Sequence, residues 1–116
     1  MLFRSNMDLA VAASESALAL YPDSQDVLVI SALMAEVKSD WPRAEQLLVQ
    51  LLQIQGVDAP AESWLHLIRT LKCQNKTEDM VMVIDHVLSY FATDDLVSRE
   101  RETLLALRAN STPSAA

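Results

Sequence analysis

Two histidines and one cysteine are the side chains best suited to nucleophilic, acid–base or metal chemistry in this sequence. His66 and Cys73 lie seven residues apart. On a helix that is two turns along one face, about 10.5 Å. The separation is too long for a shared metal ion, or for a nucleophile–base pair on a rigid helix. His86 stands beside Asp85 on a different segment and reads as a partly exposed surface residue. With a single glycine in the chain, no glycine-rich phosphate loop can form. Asn75-Lys76-Thr77 has the form of a glycosylation acceptor but carries little weight in a chain read as bacterial or cytosolic. Trp41 and Trp64 fall at the spacing of packing residues rather than of a platform for stacking bases. The expectation is therefore no enzymatic activity, no cofactor and no metal in this segment.

Composition narrows the class further. At 116 residues the chain is one domain at most, and its 51% hydrophobic content excludes general disorder. Scarce turn glycines, with abundant Ala, Leu, Glu and Gln, favour an all-α chain with short connections. A formal charge of −7 argues against nucleic acid, which requires a basic face. Cys73 has no partner for an internal disulfide, which favours a reducing, cytoplasmic setting. No apolar run approaches the ~18 residues of a membrane-spanning helix. Arg4 ahead of an Ala/Leu-rich stretch resembles a secretory signal, but Asp8 and Glu15 interrupt the apolar region. Met1-Leu2-Phe3-Arg4-Ser5 also matches the peptide encoded in frame by a common sequencing-library adapter. Residues 1–5 are accordingly expected to be a non-native leader and natural sequence to begin near Asn6, as the C-terminal part of a longer protein.

The elements that would position any site are six helices read from the 3.6-residue apolar period. They are expected over about Met7 to Leu20, Gln25 to Lys38, Trp41 to Ile54, Pro60 to Gln74, Glu78 to Phe91, and from after Thr93 to Arg108. Tyr21-Pro22-Asp23-Ser24 ends the first, and Ser39-Asp40 supplies a cap for the third, with Pro42 tolerated in its first turn. Thr77 is expected to cap the fifth, and Asp94 and Asp95 to occupy the first turn of the sixth. Core stripes are Met7, Val11, Ser14 and Leu18, with Ala10 and Ala17 beside them, then Trp41, Ala44, Leu48 and Leu51. Trp64, Leu67, Ile68 and Leu71 follow, then Met80, Val83, Ile84, Val87 and Phe91. The second helix is apolar almost all round, so it is either buried on several sides or presents an apolar binding face. The last helix is highly charged, as suits the exposed end of a stack, and residues 110–116 are expected to fray.

Small and apolar residues recur after 34 positions: Ala10 and Ala44, Ser14 and Leu48, Ala17 and Leu51, Pro22 and Gly56. From Leu28 to Trp64, Ala44 to Met80, and Leu51 to Val87 the step is 36, which one two-residue insertion around Gly56 to Pro60 explains. Periods of this size signal stacked helical hairpins. The pattern resembles the tetratricopeptide repeat (TPR). Ala10, Ser14, Ala17 and Pro22 take second-helix positions of an incomplete first repeat. Leu28, Ser31, Ala32 and Ala35, then Ala44, Leu48, Leu51 and Gly56, form the next. Trp64, Leu67, Met80, Ile84 and Val87 form the third. Ser31, Ala35, Ser14 and Met80 depart from the family's usual residues, and a generic helical bundle with the same spacing is the alternative.

The resemblance implies a right-handed α-solenoid of antiparallel helix hairpins over residues 6–109, binding a protein segment on its concave surface. The residues it places there are Val29, Ile30, Leu33 and Val37, then His66, Arg69, Lys72 and Cys73, then Arg99 and Thr103. Such a groove is apolar at one end and basic in the middle, so the expected partner combines hydrophobic anchors with one or more carboxylates. The bland reading is that the apolar residues meet a neighbouring element and the basic ones are merely solvated. Val29 and Leu33 stand where chaperone-binding TPR clamps carry Lys and Asn, against that specialised role. The functions to weigh are a scaffold module, a small TPR-like chaperone of a bacterial secretion or assembly system, and a recruitment module of a larger enzyme. An exposed second helix would also promote self-association.

Overall fold

A computed structural model of the chain describes residues 2–91 and 98–111, with side chains described from Asn6 onward and, in the second span, from Arg99. The described residues are all-helical. The α-helices are α1 (Leu2–Leu20), α2 (Gln25–Val37), α3 (Trp41–Gln55), α4 (Ala61–Cys73), α5 (Thr77–Tyr90) and α6 (Ser98–Ser111). A 3-10 turn, Gly56–Asp58, follows α3. The helix starts at Leu2, so Leu2 to Ser5 continue α1. The expected cap Thr93, the acidic pair Asp94 and Asp95, and tail residues 112–116 lie outside the described residues, whereas Asn110 and Ser111 are the last helical residues of α6.

Residues 1–59 and 60–116 form two compact units. In the first, α2 packs against both α1 and α3. Its core is Leu28, Ala32 and Ala35 from α2 with Ala44, Leu47, Leu48, Leu51 and Leu52 from α3, and Ser14 buried from α1. Small residues on α2 let the backbones approach while the α3 leucines fill the remaining space. Gln50 Nε2 donates to the Pro22 carbonyl at 2.9 Å, tying α3 to the connection that precedes α2. Ala10 is exposed although its counterparts Ala44 and Met80 are buried, because α1 packs principally on α2. In the second unit α5 packs against α4 and α6. Leu67, Ile68, Thr70 and Leu71 of α4 meet a core of Met80, Ile84, Val87, Phe91 and, from α6, Leu104. Trp41, Trp64 and Val83 are half-buried at the edges of these cores.

The hairpins α2–α3 and α4–α5 share one turn, displaced by 36 residues. Ser39 and Asn75 sit at positive φ, 58° and 59°. Asp40 N donates to Ala35 O at 2.8 Å, and Lys76 N donates to Leu71 O at 3.0 Å. Ser39 N donates to Glu36 O at 2.9 Å, and Asn75 N to Lys72 O at 3.0 Å. These bonds cover the last carbonyls of the first helix in each pair, as a left-handed C-terminal cap does. The second helix then starts in matching register, with Ala44 N on Asp40 O and Met80 N on Lys76 O.

That register corrects two expected helix starts. Asp40 caps α3 as expected, accepting from Arg43 N at 3.3 Å. The equivalent of Asp40 in the second hairpin is Lys76, not Thr77, because the Lys76 N to Leu71 O bond sets the turn's length. Thr77 is therefore the first residue of α5, whose start has no side-chain cap. Pro60 does not open α4 from within. It is the extended N-cap residue, φ −72° and ψ 155°, and its carbonyl accepts from Ser63 N.

Candidate protein-binding faces

The ten residues expected to line a groove lie on three helices. On α2, Val29, Ile30, Leu33 and Val37 occupy one exposed face, the residues being 39%, 53%, 39% and 59% accessible. Leu28, Ser31, Ala32 and Ala35 form the opposite, buried face. At 100° per residue the two sets fall on separate arcs, so the helix is two-sided despite its nearly uniform hydrophobicity. Four neighbouring aliphatic residues are thus left in water on one face of the helix.

On α4, Arg69, Lys72 and Cys73 are exposed and His66 half-buried, along one face opposite Leu67, Ile68 and Leu71. The Arg69 and Lys72 side chains have no acidic partner among the described residues. His66 Nε2 lies 3.9 Å from Glu62 Oε1, one turn earlier. Arg99 and Thr103 are exposed on α6, where Thr103 Oγ1 donates to the Arg99 carbonyl at 2.8 Å. The α2 set belongs to the first unit and the α4 and α6 sets to the second.

The shared 36-residue register makes the first two faces comparable position by position. Ile30 of α2 corresponds to His66 of α4, Leu33 to Arg69, Glu36 to Lys72 and Val37 to Cys73. Asp26 corresponds to Glu62, so each face has a carboxylate in the first turn of its helix. The two hairpins thus repeat one backbone while presenting different chemistry: aliphatic on α2, basic and polar on α4.

Charge around the α2 face is acidic. Residues 1–59 hold eight Asp and Glu against three Lys and Arg, a net of −5. Lys38 pairs with Asp8 at 3.3 Å and Arg43 with Glu15 at 3.2 Å, so both described cations of this unit are already engaged. Asp23 and Asp26 are exposed and have no basic partner among the described residues. Sequence reasoning passed over Asp26, although its place one turn before Ile30 puts it on the same face.

Two further clusters were not anticipated from sequence. Trp64 and His86 meet with ring centroids 4.6 Å apart, and His86 stacks on Tyr90 at 5.5 Å and 14°. Asp85 of α5 and Arg108 of α6 form an ion pair. Its hydrogen bond and the attraction of the Asp85 carboxylate raise the Arg108 pKa above the ordinary value, against a smaller opposing effect of burial. The Trp64–His86 contact and the Asp85–Arg108 pair join residues of different helices, so no local spacing announces them, whereas His86 and Tyr90 stand four apart on α5. Among the described residues, no three His, Cys, Asp or Glu side chains gather to hold a metal ion. No described helix is long and apolar enough to cross a membrane. No family model, no curated protein and no solved structure matches this chain.

Proposed function

We propose that this chain is a protein–protein interaction module of the TPR type, a right-handed solenoid of helix hairpins that binds a partner segment on the faces of its first helices. The observation that carries the proposal is the repeated hairpin. Ser39 and Asn75, and the turn hydrogen bonds around them, recur at a 36-residue step, and both first helices leave a functional-looking face in water. Repeats of this kind bury a shared core and leave equivalent surface positions free to vary, which suits recognition better than catalysis. On this reading the α2 face of the first unit offers apolar anchoring, and the α4 face of the second unit, taken by itself, offers Arg69 and Lys72 to carboxylates. The exposed, lone Cys73 thiol is in keeping with a cytoplasmic setting.

The test is selection of a random peptide display library on the immobilised full chain. Enriched peptides with apolar residues, whose binding is lost in the exposed-face variant Leu33→Asp, support the proposal. Circular dichroism of the variant must stay unchanged. No enrichment, or peptides that bind Leu33→Asp as well as the parent, would overturn it.

A further inference from the structure

We infer that the α2 face takes a cationic amphipathic segment of a partner protein, its apolar residues on Ile30, Leu33 and Val37 and a Lys or Arg against Asp26 and Asp23. The inference rests on the interaction-module reading and adds the charge of what binds at this face. Its basis is the unequal treatment of two equivalent carboxylates. Glu62 has His66 within 3.9 Å on its own helix. At the corresponding place after Asp26 stands Ile30, which offers no partner. The unit's described cations Lys38 and Arg43 stand beyond the opposite end of α2 and are held by Asp8 and Glu15. Asp26 therefore faces water at the N-terminal end of the aliphatic stripe, with Asp23 exposed in the connection three residues before it, where an external ammonium or guanidinium would meet this negative end.

Charge also selects among occupants. A second copy would bring another unit of net charge −5 against this one, so self-pairing through this face is opposed. An anionic segment meets the same repulsion. A cationic one is attracted, and its apolar side gains the burial of Val29, Ile30, Leu33 and Val37. Helix-on-face recognition by anchors one turn apart matches the stripe's spacing.

The experiment uses the full chain and synthetic amphipathic peptides of about 14 residues, long enough to cover the face. One carries a Leu stripe with Lys elsewhere, a second has Glu for every Lys, and a third scrambles the first. The Lys peptide should bind at least about tenfold more tightly than either other in fluorescence anisotropy at low salt. Asp26→Asn with Asp23→Asn should reduce that advantage by about threefold or more, with helicity unchanged. Equal binding of the Lys and Glu peptides, or no effect of the Asn pair, would overturn the charge selection alone, provided binding stays sensitive to Leu33→Asp. Peptide binding insensitive to Leu33→Asp would instead sink α2 as the docking face, as would equal binding of the scrambled peptide. A dimer seen by light scattering and dissolved by Leu33→Asp would show a second copy to be the occupant and overturn the inference.

Discussion

Ser39 and Asn75 occupy the same left-handed position in successive hairpins, at φ 58° and 59°. Asn tolerates this region because its short polar side chain can bond locally, whereas Ser has less relief from the Cβ clash. Ser39→Gly should therefore stabilise the first unit by about 1 kcal/mol, and Ser39→Asn by somewhat less. Asn75→Val should cost about 1–2 kcal/mol. Urea midpoints of the three variants check this, and a Ser39→Gly midpoint at or below the parent's would contradict the strain argument.

Helix identity was legible because it depends on local pattern. Asp40, Pro42 and the Pro60 region announced their boundaries, and the buried and exposed arcs of α4 follow its apolar period. α5 starts one residue before the place its residue types indicate, since Thr77 is a good capping type and only the turn's hydrogen bond to Leu71 shifts the cap to Lys76. Apolar pattern alone leaves the α2 face open because both of its sides are apolar; the repeat resemblance singles out Val29, Ile30, Leu33 and Val37, and packing on α1 and α3 leaves these four in water. The Trp64–His86 contact and the Asp85–Arg108 pair needed the neighbours across each hairpin, which residue spacing along one helix does not contain.

Ser31 is 3% exposed, and its hydroxyl has no hydrogen-bond partner among the described residues. Thr70 is equally buried, but its Oγ1 donates to the His66 carbonyl at 2.8 Å. Removing an unsatisfied hydroxyl relieves desolvation, so Ser31→Ala should gain about 1 kcal/mol. Thr70→Val loses a made bond and should be neutral or lose about 0.5–1 kcal/mol. Thermal or urea unfolding of the two variants gives the comparison, and a loss in Ser31→Ala would show the hydroxyl to be satisfied.

Ile84 is fully buried in the second unit's core, whereas Met82 on the same helix is 70% exposed. Ile84→Ala should destabilise by about 2–5 kcal/mol through lost burial and a residual cavity. Met82→Ala should stay within about 0.5 kcal/mol of the parent. Similar unfolding midpoints for the two would mean that α5 presents a different face to its neighbours.

Arg108 holds α6 to Asp85 through an ion pair whose members are each almost half exposed, 42% and 48%. Its raised pKa fixes the sign of any pH effect. A cation with a raised folded-state pKa stabilises fully below its ordinary value and loses that contribution only as pH rises through the raised one. For an arginine this window lies far above neutrality, so the Arg108 contribution should be constant from about pH 6 to about pH 9. Arg108→Gln should lower the melting temperature by the same small amount across that range, and less in high salt. A loss that grows between those limits would point to a different titrating group behind the α5–α6 contact.

Arg69 and Lys72 are the exposed cations of the α4 face, in the places held by Leu33 and Glu36 on α2. If they receive carboxylates of a bound segment, reversing both charges in Arg69→Glu with Lys72→Glu should weaken an acidic, apolar peptide by about tenfold at low salt. The effect should shrink as ionic strength rises, because both side chains are solvent-exposed and screened. A lysine-bearing peptide bound through α2 should not be weakened by the same reversal, since its cation is expected at Asp26. Isothermal titration of both peptides against parent and variant separates the two faces. Unchanged affinity of the acidic peptide would remove the basic face from the recognition surface and leave α2 as the anchoring element.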